Sequence, residues 1–283
     1  MKKIFFLIFF VCFNHIISEE KKDSDNGKSD DGFKFVFPLY SFGQNITSKN
    51  DLYGFVSTLS RNGNRLSLNK TFVGFLYGIS DRFSVIPAVQ INSFKINKNK
   101  SSGLGDIGVQ FEYAFYQKNT PEKRDQATIV ANITLPTGSA KKNPPLGFGS
   151  PSFFLGLTWR HISHQWYVFT SYGATLTTQK RQTKFGNEYL YEFGIGKKIG
   201  KLKGGVVWWL FEMNGVHLQR DKICGQIDPN SGGNFIFWAP MCLRFDYEKL
   251  ILQFGPQFPV LQKQNGQQNK IIYSFAFSLI WKF

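Results

Sequence analysis

The apolar positions of this chain recur at every second residue. From Asp51 onward they form stripes such as Phe83, Val85, Pro87, Val89, Ile91, then Ile107, Val109, Phe111, Tyr113, Phe115, then Phe153, Leu155, Leu157, Trp159. The same spacing continues in Tyr189, Tyr191, Phe193, Ile195, in Val207, Trp209, Phe211, Met213, and in Phe235, Phe237, Ala239, Met241, Leu243, Phe245. Another stripe is Leu250, Leu252, Phe254, Pro256, Phe258. A period of two gives a β-strand one apolar face. The pattern predicts twelve strands at about 51–61, 66–80, 81–93, 104–117, 125–136, 150–162, 164–178, 185–199, 201–215, 233–247, 249–261 and 270–283, with ten or fourteen as the alternatives at the weaker boundaries. Charged residues inside the strands, Glu112, Arg160, Glu188, Glu192, Glu212, Arg244 and Asp246, fall on the opposite parity. Stripes that face lipid and charges that face an aqueous lumen define the fold class expected here: all-β, a transmembrane antiparallel up-and-down β-barrel.

The connections test that expectation independently, because such barrels have tight turns at one rim and longer loops at the other. The joins at Ser80-Asp81, His161 to His164, Ile199 to Lys201 and Tyr247 to Lys249 are tight, and each follows an even-numbered strand. Those at 94–103, 137–149, 179–184, 216–232 and 262–269 are longer and follow odd-numbered strands. Asn62 to Arg65 is short where a long loop is expected, and Lys118 to Arg124 is long for a tight turn. The alternation puts both ends of the barrel on the tight-turn, periplasmic side.

The last strand carries the longest stripe, with Tyr273, Phe275, Phe277, Leu279, Trp281 and the final Phe283 at alternate positions, and Ser274, Ala276, Ser278 and Lys282 between them. It resembles the C-terminal insertion signal of bacterial outer-membrane barrels, which implies delivery to the barrel-assembly machinery. The competing reading is a core strand of a secreted sandwich. At the other end, Lys2 and Lys3 precede the apolar run Ile4 to Phe13, with a small residue at Ser18. That is a secretory signal over 1–18, too short to span a membrane as a helix. Residues 19–50 then form a leader: Glu19 to Gly32 is charged and without aliphatics, so disorder is expected. Phe33 to Phe42 is apolar at nearly every position but broken by Pro38, and Gly43 to Asn50 is polar. This predicts a segment packed in or beneath a barrel of residues 51–283, a plug in the first case.

Composition agrees with a barrel. Aromatic residues make up 17% of the chain, with 31 Phe, yet the mean hydropathy is −0.22. No window after the signal approaches a helical span, whereas a barrel exposes half of each strand to lipid. The formal charge is +15, or +13 once Lys2 and Lys3 leave with the signal. The excess lies in clusters: Lys95, Lys98 and Lys100; Lys141 and Lys142; Lys180, Arg181 and Lys184; Arg220 and Lys222. On the long-loop side these suit outer-membrane lipids and lipopolysaccharide phosphates. A further cluster, Lys197, Lys198, Lys201 and Lys203, falls by parity on the periplasmic side. Export and the lack of a basic binding motif argue against nucleic acid. Cys224 is expected in a loop and Cys242 well inside a strand, a separation that disfavours a bridge although the compartment permits one.

Candidate chemistry is sparse. Gly103, Gly105 and Gly108 around Asp106 lack the strand before and helix after that a phosphate loop requires, so they read as a bend at the barrel rim. His161, His164 and His217, with Ser163 or Ser171, are the residues from which a hydrolytic site would be built. No GxSxG, HExxH or cysteine–histidine metal spacing occurs. No catalytic residue, metal or cofactor is therefore expected. The inward charges have two readings, as braces across the wall or as the lining of a pore.

YGISDRFSV (Tyr77 to Val85), SGLGDIGVQFEYAF (Ser102 to Phe115) and ATIVANITLPTGSA (Ala127 to Ala140), followed by SPSFFLGLTWRH, resemble in order and spacing the family called MetA-pathway of phenol degradation. The resemblance covers about residues 70 to 180. It implies residence in the bacterial outer membrane and passive passage of a small hydrophobic or aromatic solute. A surface barrel with a blocked lumen and a lipid-modifying enzyme are the alternatives.

Overall fold

The computed structural model describes residues 39–180, 182–202 and 204–283. The export signal, the charged leader and the start of the Phe33 to Phe42 stretch lie outside the described residues. Twelve long strands close into one antiparallel barrel: β1 (Leu52–Gly63), β2 (Leu66–Ser80), β3 (Phe83–Ile96), β4 (Asn99–Asn119), β5 (Lys123–Leu135), β6 (Ser152–Ser163), β7 (Trp166–Thr177), β9 (Glu188–Leu202), β10 (Gly205–Leu218), β13 (Gly233–Tyr247), β14 (Leu250–Gln264) and β15 (Ile271–Lys282). β1 closes on β15 through ten consecutive pairs from Tyr53↔Lys282 to Asn62↔Tyr273. Closure leaves no strand edge unpaired, which lipid requires. In the long loops, β8 (Thr183–Lys184), β11 (Lys222–Ile223) and β12 (Gln226–Ile227) form a separate three-stranded sheet that the alternation did not predict, because two-residue strands carry no period.

The stripes face outward. Phe153, Leu155, Leu157 and Trp159 of β6 are exposed while Ser152, Gly156, Thr158 and Arg160 are buried. In β15, Tyr273, Phe275 and Phe277 are exposed, as is Phe283 just after it, while Ser274, Ala276 and Ser278 are buried. Leu279 and Trp281 are half-buried on the same outer face.

One stripe is corrected. In β13, Phe235, Phe237 and Ala239 point into the lumen, and the outward residue is Trp238, 46% exposed against 2% for Phe237. The parity reverses at Pro240 and Met241. On β10, Leu210 pairs with Cys242 and Glu212 with Ala239, so β13 has an extra residue at this point. Such a bulge moves all residues beyond it to the other face. Met241, Leu243 and Phe245 remain on the outside as expected.

Two connections also differ from expectation. Residues 94–103 are mostly strand: β3 and β4 run on as a hairpin to the pair Ile96↔Asn99, turning at Asn97, whose φ is +56°. Its polar residues continue the ladder beyond the apolar belt, so hydrophobic periodicity stops before the strand does. The join after β4 is only Thr120 to Glu122, a tight turn like those after β2, β6, β9 and β13. Cys224 is exposed, Cys242 is buried and both are free thiols.

Candidate functional site: a segment and a chamber inside the barrel

Residues 39–50 run through the lumen. Leu39 N–H donates to Glu212 Oε1 at 2.6 Å and Tyr40 N–H to Glu212 Oε2 at 3.0 Å. Phe42 N–H donates to Glu192 Oε2 at 3.1 Å. Gly43 and Gln44 then take left-handed conformations, with φ of +77° and +69°, which turns the chain toward the opposite wall. There Asn45 gives both its backbone N–H (2.7 Å) and its side-chain amide (2.5 Å) to Glu112. Thr47 N–H reaches Ser84 Oγ at 3.1 Å, and Asn50 N–H reaches the Gly78 carbonyl at 2.8 Å as the chain leaves through the tight-turn rim.

An irregular segment has backbone donors that no ladder satisfies, and in a water-poor interior each unsatisfied donor costs about 1–3 kcal/mol. Inward carboxylates supply the acceptors. The wall is also shaped for the segment: the Phe42 ring meets Phe154 edge-on at 4.6 Å between centroids. It lies over Gly156 and Gly173, where a β-carbon would come within 2.6 and 3.0 Å of the ring.

The predicted lumen residues divide by partner. Glu112, Glu192 and Glu212 bind the segment's backbone. Arg160 donates to the Gln44 carbonyl at 2.8 Å and to Gln126 at 2.7 Å. Arg244 and Asp246, two positions apart on β13, pair with each other at 2.6 Å and are fully buried. Glu188 is half-buried near the long-loop rim. Sequence reasoning missed two inward cations: Arg61 over the Phe237 ring at 5.3 Å and Lys70 over Phe94 at 6.0 Å. Parity in β1 and β2 would have exposed them, but the apolar stripes there are too broken to fix it.

Next to the segment is a cavity of about 370 Å³. Leu39, Ser41, Phe42, Gly43 and Asn45 form one side, and the facing wall is Phe55, Phe72, Leu76, Ile86 and Ile280, interspersed with Ser57, Gln90, Gln110, Asn132, Gln253 and Ser278. No charged side chain lines it. The loop 136–151 reaches inward from the long-loop side: Asn92 donates to the Leu146 carbonyl at 2.8 Å and Ser101 to the Pro144 carbonyl at 2.6 Å. Asp106 anchors that loop, accepting from Gly138 N–H and Phe148 N–H, both at 2.8 Å. The GLGD and LPTG motifs are thus one device: Asp106, inward on the same parity as Gln110 and Glu112, clamps the loop that LPTG begins.

His161 and His217 have partners other than the candidate serines. His161 pairs with Asp125 at 2.6 Å on the tight-turn rim, but the neighbouring Ser163 hydroxyl donates to the Trp166 carbonyl at 3.3 Å and caps the turn. His217 bonds Asn234, and Ser171 is buried on another part of the wall. Among the described residues no group of His, Cys, Asp and Glu is arranged to hold a metal ion.

A closed twelve-stranded barrel with a continuous apolar exterior and buried polar and charged groups inside is an outer-membrane barrel, resident in the bacterial outer membrane and in contact with its lipids. The chain belongs to the MetA-pathway of phenol degradation family, whose profile matches residues 41–230. No curated protein matches the sequence. Among solved structures it is similar to the COG4313 outer membrane channel from Pseudomonas putida F1, with a TM-score of 0.68 and 13% identity over 90% of this chain and 100% of that one. The NanC porin gives a TM-score of 0.49 at 11% identity over 81% of this chain and 100% of its own. LpxR from Salmonella typhimurium gives 0.47 at 6% identity, with the same coverage.

Proposed function

We propose that the protein is a passive channel for small uncharged molecules with an apolar or aromatic body and a polar group, and that it catalyses no reaction. The observation that carries this reading is the uncharged chamber of about 370 Å³ inside a barrel otherwise rich in buried charge. Pockets for single small ligands begin at about 300 Å³, and their usual lining is apolar with a few placed polar groups. Here Phe55, Phe72 and Ile86 are the apolar part, and Gln90, Gln110 and Asn132 offer amides. An ion in that chamber would be desolvated without a countercharge. A neutral phenol-class solute is not penalised in this way. The family and the likeness to an outer membrane channel support the same direction.

The second reading, a surface barrel with a blocked lumen, is favoured by the segment 39–50 itself, which crosses the lumen and is hydrogen-bonded to Glu212 and Glu112 of its wall. Uptake by intact cells separates the two. Cells lacking the protein should take up phenol-class solutes more slowly at limiting concentration, and the full chain should restore the rate. Equal rates with and without the chain would leave the blocked barrel.

A further inference from the structure

A second cavity, of about 380 Å³, lies among the long loops and shares no lining residue with the chamber. One side is loop 136–151 between β5 and β6, and the other is the connection from β7 to β9. The loop closes on itself to form the floor: Leu146 N–H donates to the Ser139 carbonyl at 3.0 Å. Gly149, left-handed at φ +73°, sits so near Ala140 that a β-carbon would come within 2.7 Å of it. On the facing side Lys180 and Thr183 exchange backbone hydrogen bonds at 3.0 and 3.1 Å. Phe148 of the loop and Phe185 of the connection meet edge-to-face at 5.6 Å between centroids. Lys141 and Lys180 stand on the same two sides, both exposed, and neither is in an ion pair among the described residues. No carboxylate lines the cavity, and Asp221 of the neighbouring loop is engaged by Gly186 N–H at 2.7 Å.

We propose that this cavity binds small monocarboxylates with an apolar body, of the hexanoate or benzoate kind, and that the bound anion ties loop 136–151 to the β7–β9 connection. The volume suffices for one such ligand, since small-molecule pockets begin at about 300 Å³. The carboxylate accepts from the Lys141 ammonium on one side and from the Lys180 ammonium on the other, and charge-assisted hydrogen bonds of this kind are stronger than neutral ones. The apolar body lies on the Phe148 and Phe185 rings and removes their surface from water. Neither half is enough alone. A bare carboxylate gains little from exposed ammonium groups in water, and a neutral molecule of the same shape leaves the two like charges without a counterion. The two lysines belong to different connections, so an anion between them links the loop that Asp106 clamps to its neighbour. The site is independent of the transport reading: the chamber has no charged lining, whereas this cavity selects for charge, which makes the anion a ligand of the outer face and not cargo.

The test is lysine acylation of the full chain in phosphatidylcholine vesicles, followed residue by residue by mass spectrometry. Millimolar hexanoate or benzoate should slow acylation of Lys141 and Lys180 severalfold, leave the exposed Lys98 of the β3–β4 hairpin unchanged, and lose its effect as salt is raised. Acetate and benzyl alcohol, which each lack one half of the ligand, should protect little. Lys180→Gln should abolish benzoate protection of Lys141, and Phe185→Ala should do the same while the heat-modifiable mobility of the barrel is retained. Protection by acetate or inorganic phosphate equal to that by benzoate would overturn the proposal in favour of simple anion attraction. Protection by lipopolysaccharide-containing vesicles that benzoate does not increase would also end it, by assigning both lysines to lipid phosphates, and so would no protection by any anion. Equal cellular uptake of neutral solutes with and without the chain would remove the transport reading and leave this site standing.

Discussion

At the scale of single residues, two carboxylates do different jobs with the same chemistry. Glu212 accepts from two backbone N–H groups and from Ser41 Oγ at 3.3 Å, so it fixes the start of the described segment. Glu212→Gln keeps the shape but replaces one acceptor oxygen by a donor that faces the Leu39 or Tyr40 N–H. A hydrogen bond to a charged group contributes about 1.5–3 kcal/mol. The variant should therefore free the segment without unfolding the barrel: a protease should cut near Leu39 faster while the heat-modifiable gel mobility of the barrel is retained. Asp106 holds the loop instead, and Asp106→Asn can accept from only one of the Gly138 and Phe148 N–H groups at a time. Its expected effect, about 1–3 kcal/mol of local stability, should appear as faster cleavage within 136–151 and not near Leu39.

At the scale of the strand, much was legible in the sequence, and the failures have causes. All twelve barrel strands and their order follow from alternation, because half of every strand faces lipid. The β13 stripe was misread because a bulge leaves composition unchanged: Phe235 and Phe237 are as apolar inside, stacked at 6.3 Å, as they would be outside. Trp238, read as inward by parity, is the discriminating position. Trp238→Arg should cost about 2–4 kcal/mol in lipid vesicles, the penalty for arginine near the midplane of a barrel's lipid face. A cost below about 1 kcal/mol in urea titrations would restore the unbroken parity, since a lumen position solvates the charge. A segment packed in or beneath the barrel was expected, but its path along the wall was not legible. Nothing in GQNITSKN has a period, and its donors are satisfied by Glu112, Glu192 and Glu212 on strands far from it in sequence.

At the scale of the whole molecule, barrel and segment are separable structures. Each barrel strand is hydrogen-bonded to two neighbours, and β1 reaches β15 without any help from residues 39–48. The segment, by contrast, depends on the wall for its acceptors. Deleting residues 39–48 should therefore leave a folded barrel with a wider lumen, as twelve strands enclose more space than the eight that side chains alone can fill. It should also change what the lumen prefers. Glu112, Glu192 and Glu212 would exchange backbone donors for water, and Arg160 would lose the Gln44 carbonyl while keeping Gln126. Three carboxylates then stand in the middle of an aqueous path, and rings of such groups favour cations. In planar bilayers the deletion should convert small currents into larger steps with a preference for potassium over chloride, and Glu112→Gln in the deleted background should weaken that preference. Unchanged conductance would mean that loop 136–151, and not the segment, closes the path. A deletion protein that no longer shows heat-modifiable mobility would mean that the segment is part of the folding core.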